Sequence, residues 1–244
     1  MLEFFQGIGN SLYKMFIVED RWQMILGGLG TTLFIAFAAT LLGIVLGFLV
    51  AIVRSTYEMN LKKKRCRKFG DVVMKFFNVI ANIYITVIRG TPLMVQVIIM
   101  FFIVFASESN GLIPAILTFG INSGAYVSEV IRGGIGSVDF GQTEAGRSLG
   151  LSQIGTLRLI VLPQAIKNIL PALCNEAIAV LKETSIVGMV AVVDLTRAGD
   201  LVRSRTMSPY FTLISVAIVY FVLVYGLTKA VGRLERRLAQ SDRN

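Results

Sequence analysis

Four stretches of this chain carry no charged residue: Trp22 to Val53, Gly90 to Ser107, Ser109 to Ser128 and Thr206 to Thr228. They are 32, 18, 20 and 23 residues long. About 20 consecutive apolar residues cross a bilayer as a helix, whereas soluble helices average about 11–12 residues. Charged residues make up only 16% of the 244, against about 25% in soluble domains. The expected fold class is therefore an all-α integral membrane protein.

The runs resolve into five expected spans. The first covers Met24 to Val53, and its Gly43 and Gly47, four apart on one helix face, permit close helix contact. It is too long and begins too late for a cleavable signal peptide. The segment from Val72 to Ala106 is too long for one straight crossing. Gly90 and Pro92 break it, because proline lacks the amide hydrogen and clashes with the preceding turn. Its membrane-crossing part is expected at Val79 to Phe102. The remaining spans are Leu112 to Ile131, Leu159 to Leu181 and Pro209 to Ala230. Ahead of them, LEFFQGIGNSLYKMFIVEDRW mixes aromatics with charges, as an interfacial helix does, with Trp22 at a headgroup level. The organisation is an interfacial segment at 1–23, a transmembrane domain at 24–230 with a loop at about 137–158, and a basic tail at 231–244.

The net charge of +9 is unevenly placed. It concentrates in LKKKRCRKF, between the first two spans, and in Lys229, Arg233, Arg236, Arg237 and Arg243. Juxtamembrane Lys and Arg mark the cytoplasmic side and suit anionic lipid, so nucleic acid is not the expected partner. With five crossings the N-terminus lies outside, and the C-terminus and the 137–158 loop lie in the cytoplasm. Arg197, Arg203 and Arg205 then fall outside, against the bias, in a segment that also holds Asp194 and Asp200. The two cysteines, Cys66 and Cys174, do not make a disulfide framework. Histidine is absent, which excludes a His metal site and a Ser-His triad.

The loop holds EAGRSLGLSQIGTLRLIVLP, from Glu144 to Pro163. Gln142 to Leu149 is a short helix candidate with Glu144 in its first turn, where negative charge suits the helix dipole. Gly150 sits where a helix stops in a left-handed cap, and Ser152 can cap a second helix leading into the membrane. The segment is helix, glycine joint, helix. On these residues alone it is either a contact surface or a plain amphipathic connector.

The spacing Glu144-Ala145-Gly146, three residues, Gly150, nine residues, Ile160, one residue, Leu162-Pro163 resembles the signature loop of ABC-transporter permease subunits. Gly146 departs from that pattern, where alanine is usual, which loosens the helix by roughly 1 kcal/mol. IRGTPLMVQ, SGAYVSEVIRGGI and LPQAIKNILPALCNEAIAVLKETSIV are similar to the polar amino-acid uptake branch (histidine, glutamine and arginine-type permeases). The resemblance covers roughly Gly28 to the C-terminus. It implies a type I importer-like fold in a bacterial cytoplasmic membrane. It also implies that Glu144, Ala145, Gly146, Gly150 and Leu151 couple to a separate ATPase subunit, which binds ATP and Mg. The other partners it implies are a second permease, copy or paralogue, an extracytoplasmic binding protein and an amino-acid substrate. The chain has no G-x-x-x-x-G-K-[ST] loop of its own, so it is expected to be a transport subunit rather than an enzyme, with no cofactor or metal.

Ionisable residues inside spans are costly and mark functional candidates. Glu176 lies within the fourth span; it binds a substrate ammonium or basic side chain, or else it bonds a neighbouring helix or stays neutral. Lys167, nine residues away and half a turn out of phase, is not its partner. Arg89 sits at the Gly90–Pro92 break, where freed backbone lines a cavity. It forks onto a substrate carboxylate or snorkels outward. Asn122, Ser123 and Tyr126 face a pathway or bond neighbouring helices. Glu129 and Arg132, three apart, pair at the cytoplasmic end of their span. Lys182 and Thr184-Ser185 have no assigned role. The leading function is an ABC importer permease for polar amino acids. The alternatives are an ion-gradient-driven secondary amino-acid transporter, with Glu176 as proton carrier, and a non-transporting membrane subunit.

Overall fold

The computed structural model describes Tyr13 and residues 17–62, 69–190, 192–207 and 209–240, and these residues are helical apart from short joints. Most of the expected interfacial segment, the centre of the basic block with Cys66, and residues 241–244 lie outside the described residues. Helix α1 spans Arg21–Lys62, α2 Phe69–Gly90 and α3 Leu93–Ile99, which continues through a π turn at Met100–Val104. Helix α4 is Leu112–Gly136 and α5 is Phe140–Ser148. The short α6, Gln153–Thr156, runs through a π turn at Leu157–Val161 into α7, Leu162–Glu183. A 3-10 stretch at Thr184–Val190 leads to α8, Leu195–Thr206, and the chain ends on α9, Pro209–Gln240.

The Gly90–Pro92 break is where the sequence puts it: α2 ends at Gly90 and α3 starts at Leu93. Helix α1 is longer than the expected span. Its 42 residues reach about 63 Å, because nothing in the sequence interrupts it before the basic block. Helix α9 likewise carries the basic tail onward as helix as far as Gln240.

Among the described residues, four segments are long and apolar enough to cross a membrane: Val18–Glu58, Gly70–Gly90, Gln153–Val190 and Pro209–Leu238. Helix α4 has the length, at 25 residues, but Asn122, Ser123, Ser128 and Glu129 lower its hydropathy. Those polar residues are tolerated because they are enclosed. Asn122, Ser123 and Ser128 are all buried, alongside Ala115, Phe119, Ala125 and Val127. The outer helices show the converse pattern. Helix α1 exposes Phe34, Phe37, Leu41, Val45 and Phe48 at helical spacing and buries small residues such as Ala39 and Ala51 on its other side. Small residues inside and large apolar ones outside suit a helix whose solvent is lipid.

The chain forms two compact units. One comprises Met1–Ala39, Met94–Phe119 and Ile178–Thr228. Its core packs Ile25 of α1 against Leu195, Ala198 and Val202 of α8 and Val216 of α9. Here Asp194 caps α8, accepting from the Arg197 amide at 2.9 Å and the Thr196 amide at 3.1 Å. The Thr32 hydroxyl of α1 accepts from the Leu195 amide at 3.0 Å, which ties α8 to α1. Asp194 is fully enclosed, and this burial pushes its carboxyl above the ordinary aspartate value. Two of the three arginines expected outside are paired locally. Asp200 bonds Arg203 at 2.6 Å and Arg197 at 3.0 Å, and Arg203 holds its carboxyl below the ordinary value.

The second unit comprises Thr40–Leu93, Gly120–Ala177 and Lys229–Asn244. Its core joins Ala51 of α1, Val127 and Ile131 of α4, and Ala165 and Ile169 of α7. Gly43 and Gly47 make the close approach expected of them. A Cβ at Gly43 would lie 2.8 Å from Ser123 Oγ, and one at Gly47 would lie 2.5 Å from Val127 Cγ1. Tyr84 of α2 seals the same part of α4, its hydroxyl donating to the Ile121 carbonyl at 2.5 Å. All the candidate site residues belong to this unit.

Candidate functional site

The glycine joint has a full set of capping bonds. Helix α5 opens at Asp139, whose Oδ1 accepts from the Gly141 amide at 2.7 Å. It opens two residues earlier than expected, so Glu144 lies beyond the first turn and the N-terminal charge is supplied by Asp139 instead. The sequence held the signal, since Asp139 precedes Gln142 by three residues, the spacing of a capping box. At the other end the Gly150 amide donates to the Arg147 carbonyl and the Leu151 amide to the Gly146 carbonyl, each at 3.1 Å. This is a Schellman closure, and it needs a left-handed residue after the cap; Gly150 supplies it with φ +85°. Ser152 then caps α6 as expected, accepting from the Gly155 amide at 3.0 Å.

Gly146 is more than a loosened helix position. It is buried, and a Cβ there would meet Ile160 Cδ1 at 2.7 Å and Thr156 Cγ2 at 2.8 Å. The departure from alanine lets α5 lie directly on α6 and the π turn. The rest of the joint is turned outward. Glu144, Ala145 and Gly150 are exposed and Leu151 is half-buried, while Leu149 and Ile154 are 82% and 77% exposed.

Among the candidate substrate groups, Ser123 and Glu176 are brought together. The Ser123 hydroxyl donates to Glu176 Oε1 at 2.9 Å, joining α4 to α7. Gly43 of α1 approaches Ser123 closely. Asn122, its neighbour, is also buried. No cation pairs with Glu176 among the described residues.

Arg89 takes a different partner. Its Nη1 lies 3.8 Å from Glu129 Oε2, and its guanidinium sits 5.2 Å from the centroid of the Tyr126 ring, a cation–π geometry. Glu129 is a shared acceptor. Arg132 reaches it at 2.7 Å, as the i,i+3 spacing predicts. Arg54 of α1 also bonds it. One carboxylate therefore serves guanidinium groups from α1, α2 and α4. Arg54 was not singled out in the sequence, because its only distinguishing feature there is its place at the end of a span. The pairing itself is set by packing.

Residues 72–240 match the family described as binding-protein-dependent transport system inner membrane component. The chain is 34% identical over 222 residues to the arginine transport system permease protein of Bacillus subtilis, covering 89% of this chain and 94% of that one. It is 33% identical over 219 residues to the glutamine transport system permease protein of Escherichia coli, covering 88% and 93%. A crystal structure of an amino acid ABC transporter with histidines superposes with a TM-score of 0.77 at 37% identity, over 88% of this chain and 94% of that one. With all-helical architecture, membrane-length apolar helices and a family match over most of its length, this chain belongs to the inner-membrane components of binding-protein-dependent transport systems.

Proposed function

We propose that this chain is the membrane-spanning permease subunit of an ATP-driven importer of polar amino acids. It works by alternating access, coupled to separate ATPase subunits that bind ATP and Mg. It crosses the membrane five times, with α4 as the enclosed crossing, its N-terminus outside and its C-terminus in the cytoplasm. A second permease, copy or paralogue, completes the pathway, and an extracytoplasmic amino-acid-binding protein delivers substrate. The observation that carries this reading is the capped joint at Gly150, beside which Leu149 and Ile154 stand exposed. Exposed apolar side chains on a rigid, polar helix turn suit a protein groove better than solvent.

The coupling residues are Glu144, Ala145, Gly146, Gly150 and Leu151. ATP binding must favour one arrangement of the paired permeases by several kcal/mol to shift it nearly fully, and a joint with two capping bonds transmits that bias better than a flexible loop. In the pathway, Glu176 takes an ammonium or basic side chain. Ser123 and Asn122 orient it, and Arg89, over Tyr126, meets the carboxylate.

The test is uptake by vesicles containing the chain, its ATPase and its binding protein, with and without internal ATP. Arginine, glutamine, glutamate and cystine serve as substrates. Accumulation that needs ATP and the binding protein is expected. Accumulation driven by an ion gradient without ATP, and abolished by Glu176→Gln, would instead establish the secondary-transporter alternative.

A further inference from the structure

A polar cavity lies in the same unit, lined by neither Ser123 nor Glu176. Its volume is about 540 Å³, and its walls include Glu58 of α1, Arg132 of α4, Ser137, Asp139, Thr143 of α5 and Gln153 of α6. That is room for a molecule of amino-acid size with accompanying water. The charges are mixed, and Glu58 lies near enough to Arg132 to act on it electrostatically. Glu58 is exposed at the end of α1. Asp139 uses Oδ1 to cap α5. Arg132 turns its Nε and Nη2 toward Glu129, which leaves Nη1 without a hydrogen bond among the described residues.

These groups match one ligand chemistry. An ammonium has three donors and no acceptor, so it needs carboxylate and hydroxyl oxygens around it; Glu58 and Thr143 offer them. A carboxylate needs a donor, and the outward edge of Arg132 offers one. Among the described residues the wall carries two carboxylates against one guanidinium, and that guanidinium is already shared with Glu129. A pure anion is therefore disfavoured, and a basic zwitterion is favoured over an acidic one.

We propose that this cavity is a binding site for a free α-amino acid, with basic side chains preferred over neutral and acidic ones. The ligand's ammonium lies on Glu58 and its carboxylate on Arg132. Because α5 forms one wall and the ends of α1 and α4 form the others, the occupant braces the coupling helix against the membrane helices. The site is distinct from the one built on Glu176. Its cytoplasmic position rests on the function proposed above; its affinity does not.

The experiment is equilibrium binding of radiolabelled L-arginine to the full chain in lipid nanodiscs, in the absence of binding protein. The wild type is compared with Glu58→Gln, Thr143→Val and Glu176→Gln. Loss of one charge-assisted bond predicts that Glu58→Gln weakens the site about tenfold or more. Thr143→Val weakens it less, and Glu176→Gln leaves it in place. L-glutamate competes at least about tenfold more weakly than L-arginine. Hydrogen exchange across 140–148 slows on addition of L-arginine in the wild type and not in Glu58→Gln. The proposal is overturned if no saturable binding occurs, if Glu58→Gln and Thr143→Val both bind as the wild type does, or if Glu176→Gln removes all saturable binding. Failure of ATP-driven uptake in vesicles would sink the importer reading and leave this binding result standing on its own.

Discussion

The Ser123 hydroxyl donates to Glu176 Oε1 at 2.9 Å, and the bare backbone of Gly43 lies close against Ser123. A methyl at Gly43 would stand 2.8 Å from both Cβ and Oγ of Ser123. Three helices thus fix one carboxylate: α1 supplies space, α4 the donor and α7 the acceptor.

Removing the donor leaves a half-buried carboxylate without its only hydrogen bond among the described residues. Ser123→Ala should cost about 1–3 kcal/mol, visible as a lower melting temperature of the purified chain and a raised KM for uptake. Gly43→Ala should produce the same KM effect by displacing Ser123. Because both act on one bond, the double variant should fall short of the sum of the singles. Fully additive effects on KM would show that Gly43 acts elsewhere.

At Gly150 the backbone is left-handed, φ +85°, and nothing crowds the position. Space is therefore not the obstacle to a larger side chain; conformation is. A β-branched residue there costs on the order of 1–2 kcal/mol or more. Gly150→Val should insert into membranes normally while ATP-dependent uptake falls several-fold. Gly150→Asn, which tolerates the left-handed region, should retain most activity. Equal activity of the valine and asparagine variants would argue against a rigid joint.

Gly146 makes the opposite test. By intrinsic preference alanine should strengthen α5 by roughly 1 kcal/mol. The contacts at 2.7 Å to Ile160 and 2.8 Å to Thr156 predict the reverse. Gly146→Ala should destabilise the joint, seen as faster proteolysis within 140–156. Ile160→Val, which deletes the clashing Cδ1, should restore part of it. A more resistant Gly146→Ala variant would mean that propensity outweighs packing here.

Asp194 predicts a pH dependence in the α8 segment. Burial raises its carboxyl pKa in the folded protein, so the folded state holds this proton more tightly than the unfolded one. The resulting stability is complete below the unfolded value and is lost as pH rises through the folded one. Asp200 has the opposite sign: Arg203 lowers its pKa, so its contribution is present above the unfolded value and lost as pH falls. Asp200 is solvent-facing, and added salt screens its pairs. At high salt, amides of Leu195–Thr206 should exchange more slowly at about pH 4 than at about pH 8 after correction for intrinsic rates. Asparagine at 194 keeps a capping oxygen and should abolish that difference. A pH profile unchanged by Asp194→Asn would rule out this carboxyl as its source.

Much of the joint was legible locally. Gly150 as the left-handed cap and Ser152 as the next N-cap follow from short-range bonding rules, and both hold in the structure. The Gly90–Pro92 break was legible for the same reason, since a missing amide acts on its own turn. The true start of α5 was also encoded, in Asp139 and Gln142, but the acidic Glu144 drew the boundary two residues inward. The role of Gly146 is not legible in the sequence, because its reason lies in Ile160 and Thr156, which are brought over it only by the fold of the joint.

The pairing of charged groups shows the same division. The Glu129–Arg132 bond follows from helical spacing alone, and so do the bonds of Asp200 to Arg197 and Arg203. The sequence by itself determined the apolar helices, their breaks and caps, and which polar residues had to be sheltered, because each depends on neighbours within a turn or two. Only the tertiary structure decided that Ser123 meets Glu176, that Arg54 and Arg89 converge on Glu129, and that Gly43 packs against Ser123. Those contacts join helices far apart in the chain. Their partners are selected by which faces fit closely together, and helical periodicity does not specify that.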